Sequence, residues 1–373
     1  MKNELPAFLE QGLKNLSRAG RKNRPALLSS KPYDILVFIG RFQPLHKGHQ
    51  AVIDKALELA EKVVVLIGSA GKARSIRNPF TYEERATMIA SVYPQNVVCL
   101  PIEDAAYSDT LWVTNVQKKV NTYARSYANS GGFGLHGHAD VKIGLIGHEK
   151  DHTSYYLKLF PQWENEGVQQ NHTMCATNVR KLYFENALKG RWEWDVIVND
   201  KVFRFLEAFQ KTEEFKKLAY HHEFIKEYIS KWGEGPHLTA DSLVQVGGNI
   251  LLIKRGKEYG QGLYALPGGF LQKNERFLEG ALRELKEETR FKVPLPVLKG
   301  SLVSRDTFDD PHRSERGRIV TQCFHFKLEN ELELPEVRGS DDAEWAGFVD
   351  FTTLEEKDFF EDHYHIIRKM LAI

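Results

Sequence analysis

The chain of 373 residues is poor in sulfur, with three cysteines and four methionines. Cys99, Cys175 and Cys323 lie far apart and form no Cys-x-x-Cys pair. That excludes a disulfide framework and a cysteine zinc site, and it fits a reducing compartment. Long hydrophobic runs are also missing. The most apolar stretch, Val63-Val64-Val65-Leu66-Ile67, has the length of a strand and falls well short of the roughly 20 residues of a membrane span. Residues 1–32 lack the continuous apolar core of a secretory signal. Net charge is nearly absent, with 51 Lys and Arg against 50 Asp and Glu, so a general nucleic-acid binder is not expected. No internal repeat or low-complexity tract stands out. What is present is ordinary globular composition, 42% hydrophobic and 27% charged, at a length that predicts two or three domains. The expectation is a cytoplasmic protein with no membrane or nucleic-acid partner; a homo-oligomer is left open.

The near-zero charge is a cancellation. Residues 1–32 carry seven basic and two acidic side chains, a net of +5, whereas residues 238–373 carry 19 and 24, a net of −5. The basic segment has the acid-poor character of a transit peptide, but a disordered or loosely helical extension is the expectation. From Asp34 onward, apolar strands at Ile35–Ile39, Lys62–Gly68, Asn96–Ile102 and Val141–Gly147 alternate with helical patterns, notably Thr81–Ser91 and Leu111–Tyr127. Thr81-Tyr82-Glu83-Glu84 has the spacing of a capping box. Such alternation predicts βαβ units and a parallel, Rossmann-like sheet over residues 33–194. Amphipathic helical runs then predict a bridge over 195–237, broken by Gly233-Glu234-Gly235-Pro236. Short strands around one clear helix predict an α+β domain over 238–373.

Two constellations carry chemistry. The first, Gly40-Arg41-Phe42-Gln43-Pro44-Leu45-His46-Lys47-Gly48-His49, links the first strand to the first helix. Ligands of open parallel sheets bind at the carboxyl ends of strands, where such turns lie. Gly40 permits close backbone approach, and the helix N-terminus offers unpaired N–H groups and partial positive charge to a phosphate. His46 and His49 can place two ring N–H donors on one side of that turn. Donors so placed stabilise charge building on a phosphorus under in-line attack without a covalent intermediate.

The string Gly-x-Phe-x-Pro-x-His-x-Gly-His resembles the nucleotidyltransferase superfamily, which moves a nucleotidyl group from a triphosphate to a phosphate acceptor. The same histidine pair occurs in class I aminoacyl-tRNA synthetases, but their distal Lys-Met-Ser-Lys-Ser-type loop is not found here. Ile67-Gly68-Ser69-Ala70, then Asn78-Pro79-Phe80-Thr81 and Arg85, look like the archaeal-type nicotinamide mononucleotide adenylyltransferases. The resemblance implies that Gly40, Arg41, Phe42, Gly48, Thr177 and Arg180 bind ATP, and that Asn78, Arg85, Asp109 and Trp112 bind nicotinamide mononucleotide. Trp112 stands where that group stacks the nicotinamide, a cation–π contact of about 0.5–2 kcal/mol, or is an ordinary amphipathic-helix residue. Asp109 stands where Asn is expected. Ala176-Thr177-Asn178-Val179-Arg180 matches the family's Ser/Gly-Thr-x-x-Arg motif, with Thr177 expected to cap a helix and Arg180 to face the β- and γ-phosphates.

The second constellation is Gly269, Glu275 and Arg283-Glu284-Leu285-Lys286-Glu287-Glu288. Glu284, Glu287 and Glu288 at i, i+3 and i+4 share one helical face, where like charges repel unless a cation joins them. Clustered carboxylates suit hard Mg²⁺ or Mn²⁺, which also bind pyrophosphate and activate water. Glu275 is placed to pair with Arg283. The pattern resembles the Nudix box, an α/β/α-sandwich family, at every fixed position but one: Arg290 replaces the final glycine, so altered helix termination is expected. Arg255 and Gly262-Leu263-Tyr264-Ala265-Leu266-Pro267-Gly268-Gly269-Phe270 look like the ADP-ribose-hydrolysing branch. That resemblance implies Arg255 and Gly268 at the substrate and Gly269, Glu284, Glu287 and Glu288 at the metal. Asp306, Asp309, Asp310 and Glu315 are unranked candidates for the base, and Arg313, Arg316 and Arg318 are candidates to hold phosphates.

Together the two halves resemble a fusion that makes NAD from ATP and nicotinamide mononucleotide and hydrolyses ADP-ribose to AMP and ribose 5-phosphate, with Mg²⁺ or Mn²⁺ in both. His46, His49, Arg180, Glu284 and Glu288 are its expected catalytic residues. Two alternatives stand: a second half that senses ADP-ribose or NAD without turnover, and a first half that takes phosphopantetheine, a riboflavin phosphate or a cytidylyl acceptor.

Overall fold

The computed structural model describes residues 31–130, 141–148, 157–168, 175–185, 191–256, 259–329 and 334–373. The basic extension expected over residues 1–32 lies almost wholly outside the described residues. The chain divides into two compact units. The first holds Met1–Ala70, Pro79–Asp104 and Thr110–Thr212; the second holds Gly71–Asn78, Ala105–Asp109 and Glu213–Ile373.

The first unit is a five-stranded, wholly parallel sheet with the order β3-β2-β1-β4-β5. Its strands are β1 (Tyr33–Gly40), β2 (Ala60–Ile67), β3 (Val97–Pro101), β4 (Ile143–His148) and β5 (Glu164–Val168). Ile35, Leu36 and Val37 of β1 and Val63 to Ile67 of β2 are all fully buried. Continuous apolar strands of this kind are what a sheet covered on both faces requires. Ile35, Val37, Val64 and Leu66 pack with Val116, Val120 and Ala124 of α3 (Asp109–Asn129). Helix α1 (Lys47–Leu59) follows β1, and α2 (Tyr82–Val92) follows β2. Thr81 caps α2 by the predicted capping box with Glu84. Strand order reverses between β1 and β4, so the turn after β1 sits at the switch point of the sheet, where such folds place ligands. The remaining helices are α4 (Ala176–Phe184), α5 (Arg191–Ile197) and α6 (Asp200–Phe209).

The second unit begins its helical content with α7 (Glu213–Trp232), so the stretch expected as a bridge divides at Thr212. Its mixed sheet has the path β10-β11-β6-β7-β12, with β8 on β7 and β9 on β6. The strands are β6 (His237–Val246), β7 (Asn249–Arg255), β8 (Tyr264–Ala265), β9 (Gly268–Phe270), β10 (Leu302–Phe308), β11 (Ile319–Leu328) and β12 (Ala343–Asp350). Alternation along the strands sorts side chains to two faces. Val244, Leu251, Phe324 and Phe326 pack with Ala281, Leu282 and Leu285 of α8 (Phe277–Thr289) and Leu298 of α9 (Leu295–Gly300). Leu243, Ile250, Leu252 and Cys323 pack with Ile366 and Ile367 of α10 (His363–Leu371). The sheet is therefore covered by helices on both sides, an α/β/α sandwich.

Two short segments join this second unit. Ile76 packs with Ile225, Ile253 and Tyr259, and Tyr107 packs with Phe308 and Phe359. Glu315 accepts hydrogen bonds from Ser75 Oγ, from the N–H groups of Ile76 and Arg77, and from the Tyr259 hydroxyl. Among the described residues no helix is long and apolar enough to cross a membrane.

Candidate active sites

In the first unit the two histidines cap the helix they precede. His46 is the N-cap of α1, and its Nδ1 accepts the Gly48 N–H at 3.1 Å. His49 Nδ1 in turn accepts the His46 N–H at 3.4 Å, closing a capping box. The rings stack with centroids 3.7 Å apart. An imidazole whose Nδ1 accepts carries its proton on Nε2 when neutral. Backbone geometry thus selects the tautomer that gives both rings an Nε2 donor. Gly48 is buried beneath them, and Gly40 faces the Phe42 ring, which a Cβ at residue 40 would approach to 3.1 Å. Phe42 is 1% exposed, with its ring 4.7 Å from that of His49. Its side chain braces the histidine from within the core, where the sequence placed it at ATP.

Arg180, on α4, is buried and donates to the Gln43 carbonyl at 2.9 Å and to Thr177 Oγ1 at 3.2 Å. The arginine thereby joins the histidine turn. Thr177 does not cap the helix: Cys175 is the N-cap, and Thr177 stands in the first turn as an acceptor for Arg180. Arg41 is exposed.

Arg85 departs most from the sequence expectation. It is 1% exposed and donates to the carbonyls of Thr81, Arg41, Gly68 and Ser69. Four of the five guanidinium N–H groups are thus held by backbone, and burial pushes its pKa down to about 10. It ties the walls of the β1 and β2 turns together, which is a support for a binding site and not the open cation expected at nicotinamide mononucleotide. Trp112 is half-buried, packing at 5.9 Å on Phe160 within the helix–sheet core. Asp109, the first residue of α3, is exposed. Asn78, in a segment of the second unit, is 7% exposed, and its Oδ1 has no hydrogen-bond partner among the described residues.

The sequence reading missed His148, which ends β4 and lies within 3.3 Å of the Gly48 carbonyl. Its position at a strand's carboxyl end was the available signal. It also missed Asp104, which accepts from the Ser69 N–H and hydroxyl.

In the second unit β9 pairs with β6 so that Gly269 faces the carboxylates of α8. A Cβ on Gly269 would lie 2.4 Å from Glu284 Oε1, which explains glycine there. The expected pair forms: Arg283 grips Glu275 through Nε and Nη2 at 2.8 and 2.9 Å. Its Nη1 also holds Glu284 and Glu287, each at 2.8 Å, and Nη2 reaches the Phe270 carbonyl. Glu288 is 5% exposed and accepts the Gly268 N–H at 2.9 Å. Burial, with the nearby Glu284 charge, pushes its pKa up to about 8; burial also raises Glu284. Among the described residues no three acidic, His or Cys side chains already converge as a metal shell. The physical reason is Arg283, which draws Glu284 and Glu287 to itself. The donor set still fits a hard divalent cation, since positive charge opposite Glu284 and Glu288 offsets the burial that raises both.

Arg255 is half-buried; its Nε donates to the Tyr259 carbonyl, and its guanidinium lies 4.2 Å over the Phe360 ring. Arg290 occupies the left-handed region, φ 54°, and still ends α8 with its N–H on the Lys286 carbonyl. Termination is therefore unaltered, contrary to expectation: the N–H groups of Arg338 and Ser340 cap the last carbonyls, and Ser340 Oγ accepts from Arg290 Nε. Of the base candidates, Asp306 pairs with Lys369, Asp310 accepts the His312 N–H, and Glu315 is taken up by its four donors. Arg313 is locked in a buried two-bond pair with Asp362, and Arg316 pairs with Glu361.

Comparison with known proteins matches residues 37–121 to the cytidylyltransferase-like family and residues 235–370 to the NUDIX domain. The nicotinamide/nicotinic acid mononucleotide adenylyltransferase of Acinetobacter baylyi is 36% identical over 193 residues, covering 50% of this chain and 92% of that protein. The nicotinamide-nucleotide adenylyltransferase of Sulfurisphaera tokodaii is 28% identical over 192 residues, 49% of this chain and 96% of that one. Two crystal structures of a bifunctional NMN adenylyltransferase/ADP ribose pyrophosphatase from Francisella tularensis each cover 91% of this chain and 99% of theirs. One has a TM-score of 0.81 at 32% identity; the other, complexed with AMP and a manganese ion, has 0.80 at 31%.

Proposed function

The chain belongs to the family of bifunctional nicotinamide mononucleotide adenylyltransferases and ADP-ribose pyrophosphatases, and from that premise we propose how its residues divide the work. It joins the adenylyl group of ATP to nicotinamide mononucleotide, giving NAD and pyrophosphate, and it hydrolyses ADP-ribose to AMP and ribose 5-phosphate.

In the transfer, a phosphate oxygen of the mononucleotide attacks the α-phosphorus of ATP and pyrophosphate departs. The observation that carries the assignment is the pair of Nδ1 acceptors on His46 and His49. With Nδ1 accepting, each neutral ring carries its proton on Nε2, the tautomer suited to donate to charge that develops on the α-phosphoryl oxygens. The α1 N-terminus, Gly40 and Gly48 bring backbone close to phosphate, and Arg180 with Thr177 faces the leaving pyrophosphate. Arg41 lies at the rim of the ATP site. On the acceptor side, Trp112 is the candidate to stack the nicotinamide ring. Arg85 acts by holding the walls of this site.

In the hydrolysis, Glu284 and Glu288, assisted by Glu287 and the Gly269 carbonyl, hold a divalent cation, Mg²⁺ or Mn²⁺. When bound it neutralises pyrophosphate charge and lowers the pKa of an attacking water. Arg255 and the Gly268 backbone orient ADP-ribose. Glu275 holds Arg283, which holds Glu284 and Glu287 in turn. Magnesium also accompanies ATP in the first site.

A product assay of the full chain with ATP, Mg²⁺ and a panel of acceptor phosphates, and separately with ADP-ribose, tests both halves. NAD from nicotinamide mononucleotide and AMP from ADP-ribose are expected. Failure of the first product points to another acceptor, and metal-independent silence toward ADP-ribose points to a ligand sensor.

A further inference from the structure

Gln43 lies inside the histidine turn at a position the family motif leaves unspecified, yet it is 1% exposed and saturated with specific bonds. Its Nε2 donates to the Phe80 carbonyl at 2.8 Å, and its Oε1 accepts the Phe80 N–H at 3.0 Å. One side-chain amide thus pairs with the N–H and the C=O of one residue, as a neighbouring strand would. Its own carbonyl accepts from Arg180 Nη1 at 2.9 Å. The Phe80 ring is fixed independently: it is 2% exposed against Phe205 and Phe209. Arg85 secures the adjoining Thr81 carbonyl together with those of Arg41 and Gly68. Residue 43 is therefore where three parts of the transferase site meet: the histidine turn, the Pro79–Thr81 segment that leads into α2, and the arginine proposed for the pyrophosphate side.

We propose that Gln43 is a positioning residue for adenylyl transfer, locking the Pro79–Thr81 segment and Arg180 to the histidine turn in one register. The proposal rests on the adenylyltransferase reading above. Its chemistry explains the residue type. Only a neutral planar group with one donor and one acceptor satisfies both Phe80 atoms. A carboxylate turns an oxygen against the Phe80 carbonyl, and methionine fills the space but leaves both peptide atoms buried and unpaired. In-line attack demands acceptor phosphate, α-phosphorus and leaving group along one axis, so loosening this joint costs turnover as well as acceptor affinity.

The test compares Gln43→Met and Gln43→Glu with the wild-type full chain in NAD formation from pH 5.5 to 8.5. At pH 8 both variants are expected to show KM for nicotinamide mononucleotide raised tenfold or more and kcat lowered tenfold or more. As pH falls, the carboxyl of the glutamate variant takes up a proton and regains the missing donor. Its activity relative to wild type is expected to climb at least tenfold, while the methionine variant stays flat. A purely structural role lowers the active fraction alone, with KM unchanged and no recovery in acid; that outcome overturns the proposal, as do wild-type constants in both variants. Should the methionine variant fail to fold, the glutamate variant prepared at low pH supplies the same comparison. ADP-ribose hydrolysis, expected unchanged, checks each preparation. Absence of NAD formation by the wild type refutes the transferase reading itself and is thereby distinguished from failure of this proposal.

Discussion

The two units handle the same chemical group, a pyrophosphate bond, with opposite inventories. In the first proposed site it meets neutral or cationic donors: a helix N-terminus, two histidines held as Nδ1 acceptors, and a buried arginine. In the second proposed site it meets carboxylates, three on one helix face, within a stretch of net charge −5. Donors fixed by backbone are ready before the substrate arrives. Carboxylates must be neutralised first, and the pKa of Glu288, raised chiefly by burial, reflects that need. Forming and breaking the same linkage thus place different demands on the fold. Transfer needs alignment, which a turn and its clamps provide. Hydrolysis needs an activated water, which a metal provides.

The contrast can be sharpened by substitution. Arg180→Met removes the charge proposed for the departing pyrophosphate and is expected to lower kcat for NAD formation about 10²–10³-fold, with ADP-ribose hydrolysis unchanged; steady-state kinetics of both reactions check it. A smaller effect lies in acid stability of the second unit. His363 is held neutral in the core, its Nδ1 accepting the Leu266 N–H, and burial holds its pKa down to about 3. Unfolded, the ring protonates near pH 6.5. Between about 3 and 6.5 the unfolded chain therefore binds the extra proton, and this contribution to stability is lost as pH falls. His363→Gln, which keeps an acceptor, should make the pH dependence of unfolding shallower by up to about 1.4 kcal/mol per pH unit in that window. Denaturant titrations at pH 4.5 and 6.5 read the difference. Smallest is Arg290→Gly, which removes a left-handed arginine and should raise stability by about 1 kcal/mol or less, offset by loss of the Ser340 bond. An unchanged or lower midpoint would show that the Ser340 bond outweighs the backbone strain.

Much of the fold was legible because burial leaves a periodic trace. The apolar runs of β1 to β4 and the Thr81–Glu84 capping box stood out, as did the carboxylate face of α8 with its Glu275–Arg283 brace. Strand β5, Glu-Asn-Glu-Gly-Val, escaped because it is a polar edge strand, held by pairing with β4 and not by a pattern of its own. The roles of Arg85 and Gln43 escaped for a related reason. Both act on backbone atoms of residues distant in sequence, and a carbonyl has no letter in the sequence. The cap expected at Thr177 lies two residues earlier: Cys175 precedes α4 as its N-cap without a side-chain bond, and the threonine serves Arg180. Arg290 is legible as a departure from the box but its outcome is not, because the capping loop at Arg338–Ser340 is remote in sequence.

The central claim is that one chain carries two chemically separate sites, one built on donors and the other on carboxylates. The most direct measurement assays both reactions in His49→Ala and Glu288→Gln versions of the full chain. The account predicts that His49→Ala abolishes NAD formation and leaves AMP release from ADP-ribose at the wild-type rate, and that Glu288→Gln does the reverse. Loss of both activities in either single variant would contradict it.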